Sequence, residues 1–138
     1  MTVLAGSSDL IVRGPVAVML STCEDVLPAI QELWPRFERL VGLRGRKMYA
    51  QVDLVAGTYS TCTPIRNGDD PERLGLRRGV LGGTFRRGHL RGVPPELYRS
   101  IGPGFEELEA AGDVDRTRPL VEFYKRHDQI ELWVPVTD

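Results

Sequence analysis

The sequence predicts an α+β protein in which two strand–helix–strand–strand modules form one antiparallel sheet with two helices on one face. The first observation is an internal repeat, because PRFERL at 35–40 recurs as PGFEEL at 103–108, an offset of 68 positions. Further along, the offset becomes 71 and places KMYAQVD at 47–53 on RPLVEFY at 118–124. The matches are short, but they follow the same order in both halves and predict a duplicated module.

The second observation is the pattern of elements within each half. The opening strand is predicted from Leu10 to Leu20, with a kink or bulge at Gly14-Pro15. A helix follows, with Asp25 as its predicted N-cap and Gly42 at its end. The apolar residues of this helix recur at spacings of three and four and predict one buried stripe, formed by Leu27, Ile30, Trp34, Phe37 and Val41.

The remaining elements complete the two modules. Two strands close the first half, and a strand, a helix from Pro94 to Ala111 and two strands form the second. The predicted strands lie at 47–55, 58–65, 79–90, 118–125 and 129–136. Pro35 and Pro103 occupy corresponding positions inside the two helices, which predicts a bend in each. Leu97, Ile101, Phe105 and Leu108 form the predicted buried stripe of the second helix.

The length of 138 residues predicts a single domain. Within it, repeat 1 is expected at about 8–65 and repeat 2 at about 79–136, joined by a polar linker at 66–78. The arginines of this linker and of the following strand alternate with acidic residues, which favours a solvated surface over a nucleic-acid patch.

Composition and charge exclude several classes of protein. The net charge of −1 provides no general attraction to nucleic acid or to an acidic membrane, and no segment has the length of a membrane-spanning helix. The N-terminal residues lack the pattern of a signal peptide, so we expect a cytoplasmic protein. Cys23 and Cys62 lack the spacing of a zinc site and are expected to be free thiols, and we predict no metal or cofactor. His89 and His127 have no nucleophile context that would indicate a hydrolytic triad.

Three segments, LGGTFRRGHLRG, VEFY and the terminal IELWVPV, carry a resemblance to a known family. With the order of elements, they resemble the GyrI-like small-molecule-binding domain, over about residues 8 to 137. That domain forms the effector-binding half of AraC-type and MerR-type regulators and also occurs alone. The resemblance implies two modules around a pseudo-twofold axis, with a ligand cavity between the repeats.

The family's Glu-x-Tyr strand motif matches Glu122 and Tyr124, and its glutamate points into the cavity. A carboxylate between apolar residues is costly when it is buried without a partner, and burial raises its pKa. Such a group is therefore expected where a ligand or water uses it. The alternatives are that Glu122 points to solvent or accepts a hydrogen bond from a backbone donor. By the offset of 71, Gln51 corresponds to Glu122 and is expected across the cavity from it.

Aromatic residues supply the other candidates for ligand contact. They are Trp34 on the first helix, Tyr98 and Phe105 on the second, and Tyr49, Tyr59 and Trp133 on strands. An aromatic cavity with one carboxylate suits flat, hydrophobic and often cationic molecules. The alternative for each aromatic residue is packing in the core.

Three functions are compatible with these residues. The first is a stand-alone binding protein for hydrophobic or aromatic, possibly cationic, molecules, which would sequester or sense a xenobiotic or antibiotic. The second, implied by the resemblance, is hydrolysis of cyclopropane-bearing genotoxic natural products, with Glu122 activating water and Tyr98 or Trp34 holding the substrate. The third is an interaction with gyrase or a regulator, by analogy with the member that names the family.

Overall fold

Six strands and three helices make up the part of the protein that the structure, a computed structural model, describes: residues 2–137. In chain order they are β1 (Asp9–Glu24), α1 (Leu27–Val41), β2 (Met48–Asp53), β3 (Thr58–Pro64), β4 (Arg77–Arg91), α2 (Glu96–Arg99), α3 (Ile101–Glu109), β5 (Leu120–Arg126) and β6 (Gln129–Pro135).

All six strands pair antiparallel in the order β1-β3-β2-β5-β6-β4, and β4 pairs again with β1. The predicted antiparallel sheet is therefore confirmed, and it closes into a barrel, which the sequence did not predict. The three strands of each half are neighbours and follow the same order within it. This order is compatible with duplication, which stays a prediction from the sequence.

A bulge in β1 bends the sheet where β1 meets β4. The pairing register shifts between Arg13 and Val16, so Gly14 and Pro15 lie opposite one residue, Gly82. A Cβ added to Gly82 would lie 3.0 Å from the Pro15 Cα, so the two backbones could not approach as closely with a larger residue. The predicted kink at Gly14-Pro15 is this bulge.

The helices differ from the prediction in the buried stripe of α1, in its N-cap and in the extent of the second helix. Leu27, predicted as part of the buried stripe, is 65% exposed at the start of α1, and Leu33, which was not predicted, is fully buried.

Helix α1 begins at Leu27, and Val26 rather than Asp25 is its N-cap residue, without a side-chain cap. Its end at Gly42 is as predicted, because this glycine has a φ of 75° and its N–H bonds the Glu38 carbonyl.

The single helix predicted from Pro94 to Ala111 is wrong, since α2 and α3 are separate elements that meet at Ser100. Pro103 consequently lies in the first turn of α3, where its missing N–H costs no helical hydrogen bond, whereas Pro35 lies inside α1.

The closed sheet has two apolar faces. Both α1 and α3 pack on its outer face, because Leu33 of α1 shares a core cluster with Phe105 and Leu108 of α3. The inner face is filled by a second cluster that includes Val18, Leu20, Cys62, Leu81 and Val121. Large parts of both faces are therefore buried, and the polar side chains found in those parts need partners within the protein. The first half of β1 is the exception, because Leu10 and Val12 are exposed. No helix among residues 2–137 combines the length and hydropathy needed to cross a membrane.

Candidate functional site

A buried polar cluster lies on the outer face beneath α1 and contains four of the predicted site residues. Tyr124 donates a hydrogen bond of 2.5 Å to Oε1 of Glu122, and Tyr59 donates one of 3.0 Å to the same oxygen. The Nε1 of Trp34 donates to the Tyr59 hydroxyl at 3.0 Å. Trp34 also contacts the Tyr124 ring edge-on, with 4.9 Å between ring centroids. We call Trp34, Tyr59, Glu122 and Tyr124 the Glu122 cluster.

Burial determines the electrostatics of the Glu122 cluster. Glu122 is only 4% exposed, so its carboxyl does not point to solvent. Burial raises its pKa, and the hydrogen bonds from Tyr124 and Tyr59 partly oppose this shift. The pKa values of Tyr59 and Tyr124 are also raised, by burial first and then by the nearby carboxylate. The phenolic protons are therefore held on the tyrosines, which act as donors to Glu122.

A second aromatic group lies on the inner face. The rings of Tyr49 and Phe123 stack with 4.6 Å between centroids. Trp133 contacts Tyr49 at 5.7 Å, and Phe85 contacts Trp133 at 5.4 Å. We call Tyr49, Phe85, Phe123 and Trp133 the inner aromatic cluster. Two of its members, Tyr49 and Trp133, were predicted from the sequence as ligand contacts.

A second buried carboxylate, Glu131, accompanies the inner aromatic cluster. It is 3% exposed and accepts a hydrogen bond of 3.0 Å from Nε1 of Trp133. Lys125 Nζ lies 3.4 Å from one of its oxygens and Arg87 Nη1 3.7 Å from the other. Sequence reasoning missed Glu131, although it stands between apolar neighbours in IELWVPV just as Glu122 does in LVEFY. Its spacing of two from Trp133 puts both side chains on one face, a signal that was available in the sequence.

A cavity of about 390 Å³ opens beside the inner aromatic cluster. Tyr49 and Trp133 form part of its wall, and residues from both halves of the chain contribute. The complete lining is Arg13, Val16, Gly45, Arg46, Lys47, Tyr49, Thr63, Pro64, Arg66, Leu81 and Trp133. Arg13 lies over the Trp133 ring, with 5.1 Å from its guanidinium carbon to the ring centroid. The cavity volume suits a small organic molecule.

The strand register separates residues that were expected in one cavity. Glu122 pairs with Leu132, and Val121 pairs with Trp133, so Glu122 and Trp133 point to opposite faces of the sheet. Gln51 pairs with Val121 and therefore points to the inner face, away from Glu122. The expected placement of Gln51 and Trp133 around Glu122 is thus wrong, because neighbouring strand residues alternate between faces.

Two further predicted contacts lie elsewhere. Tyr98, on the short helix α2, is 49% exposed and has no contact with the Glu122 cluster among the described hydrogen bonds. Phe105 is buried in the outer core, which corresponds to the packing alternative for this residue. The predicted residues therefore fall into four groups. The Glu122 cluster lies on the outer face, Tyr49 and Trp133 lie in the cavity wall, Gln51 lies elsewhere on the inner face, and Tyr98 and Phe105 lie apart from all of these.

The two cysteines do not form a disulfide. Cys23 and Cys62 are both free, and burial raises the pKa of the Cys62 thiol to about 12. Within residues 2–137, no three His, Cys, Asp or Glu side chains lie close enough together to hold a metal ion.

Known structures share this fold, although no family model matches the sequence and no curated protein matches it significantly. An integron cassette protein from the mobile metagenome of Vibrio cholerae has 14% identity and a TM-score of 0.74, over 94% of this chain and 95% of that one. SAV2435, solved with bound tetraphenylphosphonium, has 15% identity and a TM-score of 0.64, over 96% and 94%. A hydrolase from Listeria innocua has 12% identity and a TM-score of 0.55, over 94% and 91%. At these identities the likeness establishes a common fold.

Proposed function

We propose that this protein binds small, flat, hydrophobic molecules in the inner cavity. The observation that carries the proposal is the cavity of about 390 Å³ with the Tyr49 and Trp133 rings in its wall. Tyr49 and Trp133 are 8% and 1% exposed, so an aromatic ligand would contact only the small parts of these rings that reach the cavity, and the rings lose little conformational freedom on binding because neighbouring rings already hold them.

Two comparisons support this proposal. SAV2435, which has the same fold, was solved with the aromatic ligand tetraphenylphosphonium. The resemblance of LGGTFRRGHLRG, VEFY and IELWVPV to the GyrI-like domain implies a ligand cavity between the two halves. Sequestration or sensing of a xenobiotic or antibiotic in the cytoplasm is the biological role that we infer from them, and a gyrase or regulator partner stays a prediction.

Binding is tested by thermal denaturation of the protein with a panel of flat aromatic compounds of different charge, including tetraphenylphosphonium. A ligand is expected to raise the Tm of the wild type. Tyr49→Leu, which removes a ring from the cavity wall, should abolish most of that rise. Tyr98→Leu is the matched control, because Tyr98 is half exposed on α2.

A second variant keeps the test valid if Tyr49→Leu folds poorly. Leu81→Phe fills part of the cavity from its wall and should reduce binding while it leaves the aromatic rings in place. Equal ligand-induced shifts in wild type, Tyr49→Leu and Leu81→Phe would show that binding, if any, occurs elsewhere.

Hydrolysis is the second candidate, favoured by the Glu122 cluster. A buried carboxyl with a raised pKa that is held by two tyrosines has the character of a general base, and the Listeria innocua hydrolase has the same fold. A substrate of Glu122 would have to enter beneath α1 on the outer face, whereas the cavity lies on the inner face.

Mass analysis of cyclopropane-bearing, DNA-alkylating compounds incubated with the protein tests this second function. A hydrated product that forms with the wild type and about 10²-fold more slowly with Glu122→Gln would support hydrolysis by Glu122. If Glu131→Gln rather than Glu122→Gln abolished the product, the reaction would take place on the inner face. Recovery of unchanged compound from the wild type would leave binding as the function.

A further inference from the structure

We propose that the natural ligand of the inner cavity is an aromatic anion, such as an aromatic carboxylate, whose ring contacts Trp133 and Tyr49 and whose charge lies near Arg13 and Lys47. This inference rests on the proposed binding function and adds the ligand's charge. The same fold accommodates the lipophilic cation tetraphenylphosphonium in SAV2435. The ligand charge that this cavity favours therefore depends on the residues of this chain and not on the fold alone.

The charged side chains that line the cavity are all cationic. Arg13, Arg46, Lys47 and Arg66 contribute to its wall, and no Asp or Glu among the described residues does so. A concave site lined by one sign of charge concentrates ligands of the opposite sign and repels those of the same sign. The net charge of −1 for the whole chain conceals this local excess.

Part of this positive charge is already neutralised by a carboxylate. Arg46 is neutralised, because both of its terminal nitrogens donate to the Asp69 carboxylate at 2.7 Å. The Arg66 guanidinium donates at 3.0 Å to the backbone carbonyl of Arg44, and no carboxylate of residues 2–137 lies within ion-pair distance of it, although Asp69 accepts a hydrogen bond from the Arg66 backbone N–H. For Arg13 and Lys47, no carboxylate among residues 2–137 lies within ion-pair distance. Three cationic residues of the cavity wall thus have no carboxylate within ion-pair distance among residues 2–137.

The buried carboxylate nearest to this region does not reverse the balance. Glu131 lies beside two cations, since Lys125 is 3.4 Å from one of its oxygens and Arg87, which also pairs with Asp9 at 2.6 Å, is 3.7 Å from the other. Its Oε1 also accepts the Trp133 N–H. Those contacts already use Glu131, and Glu131 does not line the cavity. A cationic ligand would therefore meet unpaired arginine and lysine and no unpaired carboxylate.

The position of Arg13 connects the charge with the aromatic wall. Its guanidinium carbon lies 5.1 Å from the Trp133 ring centroid, within the range of a cation–π contact. A flat ligand beside Trp133 would present a carboxylate substituent to this guanidinium, whose planar fork matches two carboxylate oxygens. The ring of the ligand and its charge would then be recognised by two neighbouring side chains, Trp133 and Arg13.

Three compounds of nearly equal shape test the inference: 2-naphthoate, 2-naphthalenemethanol and 2-naphthylmethylammonium. Titration calorimetry at neutral pH and about 20 mM salt should rank the anion first and the cation last, with about 10-fold or more between their Kd values. Raising the salt to about 300 mM should weaken binding of the anion and leave the alcohol nearly unchanged.

Substitutions of the cationic residues test where the charge of the ligand is recognised. Arg13→Met and Lys47→Met should each weaken binding of 2-naphthoate by about 3- to 5-fold, and the double variant by about 10-fold, with little effect on the alcohol. Arg99→Met is the matched control, because its side chain is 75% exposed on α2 and the substitution changes the net charge equally. It should leave all three Kd values unchanged.

The outcomes separate the two proposals. Equal binding of all three compounds, or tightest binding of the cation, would overturn the anion preference and leave the cavity as a binding site. Tight binding of the anion that Arg13→Met and Lys47→Met do not affect would also overturn the inference, since the charge would then be recognised elsewhere. Failure of all three compounds to bind at millimolar concentration would count against the proposed function itself and would remove the inference with it.

Discussion

Replacement of Glu122 by Gln should change the pH dependence of stability in a direction that the structure specifies. Burial raises the pKa of the Glu122 carboxyl above its ordinary value of 4.5. The folded protein therefore binds more protons at this site than the unfolded chain, at every pH between that value and the raised pKa. The stability that Glu122 contributes is complete below pH 4.5 and is lost as the pH rises through the folded pKa.

The magnitude follows from the proton count. One proton bound in the folded state and absent in the unfolded state changes the free energy of unfolding by about 1.4 kcal/mol per pH unit. Gln cannot titrate, but its side-chain oxygen can still accept the hydrogen bonds from Tyr59 and Tyr124. The free energy of unfolding of Glu122→Gln minus that of the wild type should therefore increase with pH at this slope across the window.

The assay is urea unfolding followed by tryptophan fluorescence at intervals from about pH 4 to about pH 8. The difference between the two proteins cancels every other titrating group, and Glu32→Gln on the exposed side of α1 controls for the substitution itself. Parallel curves for wild type and Glu122→Gln over this range would refute the reasoning, as would a wild type that gains stability relative to the variant with rising pH.

Three further substitutions test other parts of the structure. Tyr59→Phe removes the acceptor of the Trp34 N–H and one donor to the Glu122 carboxyl, and it should lower the free energy of unfolding in urea by about 2–4 kcal/mol. A loss below about 0.5 kcal/mol would contradict the hydrogen bonds of the Glu122 cluster. Gly104→Ala places a methyl group 2.6 Å from Leu132 Cδ1 and should cost about 1–3 kcal/mol in thermal unfolding, whereas an unchanged Tm would show that α3 can shift away from β6. The hydrogen bonds from Arg46 hold the pKa of Asp69 at about 2, so this carboxylate stabilises the fold above pH 3.8 and loses that effect as the pH falls through the folded pKa. The loss in free energy of unfolding caused by Asp69→Asn should therefore become smaller in acid. A loss that is constant with pH would argue against the pair of Arg46 and Asp69.

Local features were the most predictable from the sequence. The end of α1 at Gly42 and the bulge at Gly14-Pro15 depend on residues close together in the chain, and both agree with the structure. The predicted apolar stripe of α1 agrees only in part, because Phe37 and Val41 are buried but Leu27 is exposed. The division of the second helix at Ser100 was missed because its apolar spacing continues across the break. Closure of the sheet depends on pairing between β1 and β4, which are distant in sequence and leave no local pattern.

The candidate site was harder to predict because both faces of the sheet are apolar. A strand with one solvated face reveals its orientation through alternating polar and apolar residues. In β6, however, every residue from Ile130 to Pro135 is buried, so alternation cannot show which side faces the helices. The sequence indicated correctly that Glu122 is buried, but not that Tyr59 and Tyr124 donate to it. Nor did the sequence show that Trp133 lies on the opposite face beside Glu131.

Closure of the sheet also determines how the two halves depend on each other. Each half meets the other along two seams, one between β1 and β4 and one between β2 and β5. Removal of either half would expose two rows of unpaired backbone donors and acceptors, which attract strands of other chains. We therefore expect the halves to unfold as a single cooperative unit, and the closed ring leaves the sheet of residues 2–137 without a free strand edge where aggregation could begin.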